Sequence, residues 1–311
     1  MSLPFLQSYI GLSNGLNTRQ SASSAGATRG IFGGGNILSP PGNCNIIDYI
    51  TIATTGNAVD FGDLTRDGGY LAACSSSTRG VFGGTGTAYS DIIDYVTIAT
   101  TGNAVDFGDL TYARGFLAAC NSATRGVFAG GGHGATNIID YITIATTGNA
   151  TDFGDLSANR YELTGVNSST RGVWGGGYLG GMSNIIEYIT IATTGNATDF
   201  GDLAAGRKGL AGLNSEIRGV FAGGVEIGAT PINTMDYITI ATTGNATDFG
   251  DMTASLAFRG GVNSSTRGVW GGGSNRSNVI DYITIATTGN AVDFGDLTDG
   301  RYSLAGCQNG L

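Results

Sequence analysis

The chain of 311 residues carries 24 acidic against 15 basic side chains, a net charge of -9, with 55 Gly, 4 Pro and one Lys, Lys208. That balance lacks the Lys/Arg stripe a nucleic-acid backbone requires, and no stretch approaches the roughly 18 apolar residues of a membrane span. An apolar fraction of 41% excludes a disordered chain and allows a real core.

Residues 1–27 stand apart from everything that follows. Their apolar Phe5, Leu6, Tyr9 and Ile10 read as an attachment arm, and MSLPFLQSYIGLSN has neither the basic start nor the apolar run of a secretory signal. Residues 28–311 form the second unit. There YITIATTGNAVDFGDL, beginning at Tyr49, returns almost unchanged from Tyr95, Tyr141, Tyr188, Tyr237 and Tyr282, at intervals of 46, 46, 47, 49 and 45 residues. A fixed period of this size signals identical units stacked on one another.

Residues 69–110 illustrate one unit. GYLAACS (69–75), RGVFGG (79–84), IIDYVTIAT (92–100) and AVDFGDL (104–110) are rich in Ile, Val, Tyr, Phe and Thr and are separated by Gly, Asn and Ser, the signature of strands. We denote them A to D. Strand C is apolar on both faces, which suits a sheet covered on both sides by copies of itself. The expected fold is all-β, a six-bladed β-propeller of four-stranded antiparallel blades. RYSLAGC (301–307) matches strand A but no strand B follows it, so the C-terminal strand is expected to complete the first blade and leave no open edge.

Cys74, Cys120 and Cys307 occupy a strand A slot that other copies fill with Val166, Leu213 and Val262, so they read as buried thiols rather than bridge partners. Cys44 sits in a loop without an evident partner. Eighteen of the 24 acidic residues occupy three recurring slots and belong to the scaffold. Arg29, Arg79, Arg125, Arg171, Arg218 and Arg267 open every strand B, while Asp60, Asp106, Asp152, Asp199, Asp248 and Asp293 begin every DFGD segment. Their constant co-occurrence predicts an inter-blade ion pair at one height in the sheet. The DFGD carboxylates, such as Asp106 and Asp109, either bind calcium or cap turns; a site present in every blade favours the structural role. Asp-Phe-Gly here ends a strand with no catalytic loop nearby, unlike the magnesium element of kinases.

The loops separate into two sets. The C to D turn reads TTGNA throughout and the A to B link is nearly constant, whereas the B to C and D to A loops all differ. In a meander these variable loops share one face of the disc. That face carries Tyr89, Tyr112, Arg114, His133, Arg160, Tyr178, Met182, Lys208, Arg259 and Arg276 as candidate binding residues, since loops on a rigid scaffold commonly hold specificity and aromatic and Arg side chains anchor partners. Among carboxylates outside the scaffold slots (Asp67, Asp91, Glu162, Glu216, Glu226, Asp299), no spacing selects a glycosidase pair.

The Gly-Gly closing strand B, the Tyr of strand C and the aromatic of strand D, with Phe107 where Trp is usual, resemble the kelch repeat over residues 29–311. That family includes copper oxidases, but a copper centre is held mainly by imidazole and His133 is the one His. The repeated YITIATTGNA(V/T)DFGDL and STRGV(F/W)GGG also resemble the propellers of tailed-phage virion structural proteins from marine hosts. The resemblance implies a non-enzymatic tail, fibre or capsid-decorating module in the virion. It would need no cofactor or metal, bind other virion proteins through the arm, and meet a host glycan, host protein or neighbouring subunit through the variable face. A free lectin-like propeller is the alternative, and a polysaccharide-degrading enzyme a more distant one.

Overall fold

A computed structural model describes residues 28–38, 41–86, 88–132 and 136–309. The expected arm with Phe5, Leu6, Tyr9 and Ile10, and His133 of the variable face, lie outside the described residues. Six four-stranded antiparallel sheets are formed, each a meander in the order A-B-C-D. In the second blade these strands are Ala72–Ser75, Arg79–Thr85, Ser90–Thr97 and Val105–Asp109. The fold is a six-bladed β-propeller.

The seam closes as the chain ends suggest. Ala305–Gln308 pairs with Arg29–Gly33, with Gly30 opposite Gln308 and Gly33 opposite Ala305, so the first blade takes its inner strand from the far end of the chain. Every sheet is thereby complete and both ends of the ring are tied to one blade. Among the described residues no helix is long and apolar enough to cross a membrane.

The core is divided into six clusters, each lying between two neighbouring blades. Ile31, Ile47, Phe61 and Cys307 of the first blade pack with Phe82, Val96 and Ile98 of the second, and the same positions recur around the ring. This double-sided covering is why strand C is apolar on both faces. All four cysteines are free and buried. The slot shared by Cys, Val and Leu packs onto the Gly of the next blade's Arg-Gly-Val: a Cβ on Gly126 would lie 2.4 Å from Cys74 Sγ, and one on Gly219 2.6 Å from Val166 Cγ2. The recurring Thr-Arg-Gly therefore needs its Gly for close approach between blades.

The constant C to D turn is a clasp between blades. Gly102 N donates to Phe61 O at 2.8 Å and Ala104 N to Asp63 O at 2.7 Å, while Asn103 Oδ1 accepts Asp63 N at 3.1 Å. The turn of one blade thus extends the outer edge of its predecessor, and the bond recurs at the ring closure between Asp296 N and Asn57 Oδ1. A bulge between strands C and D leaves Phe61 without a partner opposite, turned into the core. At Gly62 a Cβ would meet the Gly102 carbonyl at 2.6 Å. The invariant Asp-Phe-Gly-Asp and Thr-Thr-Gly-Asn are the two sides of that contact.

Candidate functional site: the variable-loop face and its axial mouth

The charged network differs from the one expected. Arg29 lies opposite Thr51, whereas Asp60 lies opposite Asp48, which faces Phe32; the Arg and the first Asp of DFGD are not level. Among the described residues no ion pair joins the strand B arginines to that carboxylate. Instead each guanidinium stacks on the Tyr of its own strand C, from 4.2 Å for Arg171 over Tyr188 to 4.5 Å for Arg79 over Tyr95. Each also donates to a main-chain carbonyl of the following blade, as Arg125 Nη1 does to Ile191 O at 2.8 Å. The bridging role between blades holds; its acceptor is a carbonyl.

The ion pairs belong to the other arginines, those of the D to A loops. Arg66, Arg114, Arg160, Arg207, Arg259 and Arg301 reach strand C carboxylates Asp94, Asp140, Glu187, Asp236, Asp281 and Asp48, at 3.5, 2.9, 2.5, 2.9, 2.6 and 3.0 Å. A loop Thr often completes the shell, with Thr111 Oγ1 donating to Asp140 Oδ1 at 2.6 Å and Thr298 Oγ1 to Asp48 Oδ1 at 2.7 Å. Arg114, Arg160 and Arg259 are buried. They are corrected from the candidate binding face to the scaffold: a guanidinium whose charge is matched by a buried carboxylate is not available to a partner. Burial lowers the pKa of Arg114, Arg160 and Arg259, with the partner carboxylate opposing. It raises those of Asp48, Asp94 and Asp236 despite their cationic neighbours.

The same loops build the mouth of the axial channel. Just before strand A, Tyr70, Phe116, Glu162, Gly209, Phe258 and Ser303 all take left-handed backbone conformations, with φ between 56° and 64°. Their N–H groups form a closed belt around the axis: Tyr70 N donates to Ser303 O, Phe116 N to Tyr70 O, Glu162 N to Phe116 O, Gly209 N to Glu162 O, Phe258 N to Gly209 O and Ser303 N to Phe258 O, at 2.8 or 2.9 Å. Strand A consequently begins at Ala72 rather than at Gly69, because an αL residue cannot continue a strand. Such a backbone in a non-Gly residue costs about 1–3 kcal/mol, and Gly occupies only one of these positions.

Three of the strained positions carry large rings, all half-buried. Tyr70 and Phe116 centroids lie 4.1 Å apart, Tyr70 and Phe258 6.0 Å, and Tyr70 and Tyr302 6.2 Å. Tyr70, Phe116 and Phe258 line a cavity of about 80 Å³ that also meets Glu162 and Ser303. Burial pushes the Tyr70 phenol up to about 12, so it remains a neutral donor. Across the mouth Tyr161 and Tyr178 stack at 5.4 Å, with Lys208 Nζ 5.4 Å from the Tyr178 ring and 2.7 Å from Glu162 Oε2.

Of the expected face residues, Tyr178 and Lys208 join this mouth, Tyr89 stacks near Phe116 at 6.5 Å, and Arg276 lies over Tyr302 at 5.6 Å. Met182 bridges to Tyr178 through the main chain, and Tyr112, 48% exposed, stands apart. The sequence reading missed Tyr70, Phe116, Tyr161, Phe258 and Tyr302. Aligning the D to A loops on the strand A Leu would have placed Tyr70, Phe116, Tyr161 and Tyr302 at the axis, whereas Phe258 precedes Arg259 in that slot. Among the described residues no three His, Cys, Asp or Glu side chains gather as a metal site.

The fold and this mouth define a closed six-bladed propeller with one constant and one diversified side. No family model matches the chain, and no curated protein matches it.

Proposed function

We propose that this chain is a non-enzymatic structural and recognition module of a virion, a tail, fibre or capsid-decorating component with kelch-like blades, whose variable-loop face meets a host surface or a neighbouring subunit. The observation that carries the reading is the division of labour between the faces. The repeated arginines and the strand C carboxylates are tied up within and between blades, while the half-exposed rings and the Lys208 group sit on the side where blades differ. Rigid aromatic side chains present contact area at low entropic cost, and the belt of main-chain bonds holds them in place.

A glycan is the favoured partner, because half-exposed aromatic rings offer stacking faces and the Tyr hydroxyls offer hydrogen bonds. Binding of the isolated protein to an array of bacterial surface polysaccharides tests this. Loss of signal in a Tyr112→Ala/Tyr178→Ala/Lys208→Ala variant that still melts normally supports the reading; undiminished signal removes the face from it. For the virion role, a chain lacking residues 1–20 should fold and fail to incorporate into particles, and normal incorporation would sink the arm's part.

A further inference from the structure

At the opposite end of the axis from the aromatic mouth, the six inner strands finish in Ser75, Asn121, Asn167, Asn214, Asn263 and Gln308. All are buried. They are linked side chain to main chain around the axis. Asn121 Oδ1 accepts Ser75 N at 3.3 Å, Asn167 Oδ1 accepts Asn121 N at 3.2 Å, Asn263 Oδ1 accepts Asn214 N at 3.4 Å, Gln308 Oε1 accepts Asn263 N at 3.3 Å, and Ser75 Oγ accepts Gln308 N at 3.4 Å.

These bonds engage the carboxamide oxygens of Asn121, Asn167, Asn263 and Gln308, so each of these four turns its NH2 group elsewhere. Asn121 and Asn167 place Nδ2 3.5 Å from the carbonyls of Ser122 and Ser168, at the limit of a bond. Asn214 Nδ2 and Asn263 Nδ2 are buried with no partner at all. Buried donors without an acceptor are rare and call for an explanation. The same residues line a cavity of about 50 Å³ on the axis, together with Cys74 and Cys307 and without any charged side chain. A space of that size exceeds what one water needs.

We propose that this ring of carboxamides is a binding site for a small monovalent anion of the halide type, held on the propeller axis by the amide NH2 groups of Asn214 and Asn263 with those of Asn121, Asn167 and Gln308 around it. An anion accepts hydrogen bonds and donates none, which matches a ring with two unpartnered buried NH2 groups and four of its five carboxamide oxygens already occupied. A water molecule brings two hydrogens that need acceptors of their own. Chloride or bromide suits a neutral pocket better than strongly hydrated anions, which give up their water at greater cost. The site is independent of what the loop face binds: it would stabilise the ring by tying five of the six inner strands to one central ligand.

The probe is bromide. Crystals of the full chain grown without halide and soaked in sodium bromide should show an anomalous peak on the axis, within hydrogen-bonding reach of Asn214 and Asn263 Nδ2. Water density there without anomalous signal overturns the proposal. In solution, the melting temperature should rise saturably with sodium bromide and not with sodium gluconate at equal ionic strength, and an Asn214→Asp/Asn263→Asp variant should lose that rise. Equal shifts in the two salts contradict it. If the variant does not fold, the bromide soak of the unaltered protein still decides.

Discussion

The two sides of the disc solve the same problem with different sequence rules. On the constant side the Thr-Thr-Gly-Asn turn and the Asp-Phe-Gly-Asp strand meet through main-chain bonds and a Gly against a carbonyl, so every residue at the contact is fixed by geometry. On the variable side the D to A loops differ in length and content, yet each sends one Arg inward to a strand C carboxylate. Diversity there is superficial. These loops are anchored at that ion pair and at the main-chain belt around the axis and differ elsewhere, which lets a closed ring carry six different loops without losing its fit.

The comparison can be broken hardest at an anchor. Asp140→Ala leaves Arg114 buried without its counter-charge and should lower stability by about 3–5 kcal/mol, read from denaturant unfolding. Arg114→Met with Asp140→Leu should recover most of that, since two apolar groups need no pairing. On the constant side, Gly108→Ala places a Cβ 2.5 Å from Gly148 O and should cost about 1–3 kcal/mol through overpacking. Its effect should be of similar size at the equivalent Gly of any blade, because the contact repeats. Arg125→Leu removes the stack on Tyr141 and the bond to Ile191 O, for a loss of about 1–2 kcal/mol. Lys at that position should recover little, lacking the planar fork.

The smallest effects concern protonation and the exposed loops. Burial raises the pKa of Asp48, Asp94 and Asp236 above the ordinary 3.8, so folding favours their protonated form. Their contribution is therefore full below 3.8 and declines as pH rises through the raised folded values. Taking the protein from pH 7 to 5 should leave the melting temperature level or slightly higher. A fall in that window would contradict the raised values. Tyr112→Ala should change stability by under about 0.5 kcal/mol, because its side chain stands apart from the anchors.

The blades, their number, the seam and the apolar Cys slot were legible in the sequence because each follows from a fixed period and from residue types that tolerate substitution in kind. The roles of the two Arg sets were not. The strand B arginines recur in strict register with the other strictly recurring charge, but Asp60 lies opposite Asp48, three residues along strand C from the Thr51 that faces Arg29. The loop arginines drift in spacing: Arg114, Arg160, Arg207 and Arg301 stand five residues after the last Asp of DFGD, Arg66 three and Arg259 eight. Loops of unequal length reach one point in space, and a search for fixed spacing passes over them. The aromatic mouth escaped for a related reason. What its six positions share is a backbone conformation, while their side chains range from Gly209 to Phe116.

The division between a structural side and a recognition side is tested most directly by one binding measurement on two variants. On a bacterial surface-polysaccharide array, the Tyr112→Ala/Tyr178→Ala/Lys208→Ala protein should lose binding, and a protein with Thr54→Ala/Thr55→Ala and the same changes at Thr100 and Thr101, all exposed on the constant turns, should bind as the unaltered chain does. Binding that survives the loop-face changes and disappears with the constant-turn changes would contradict the account.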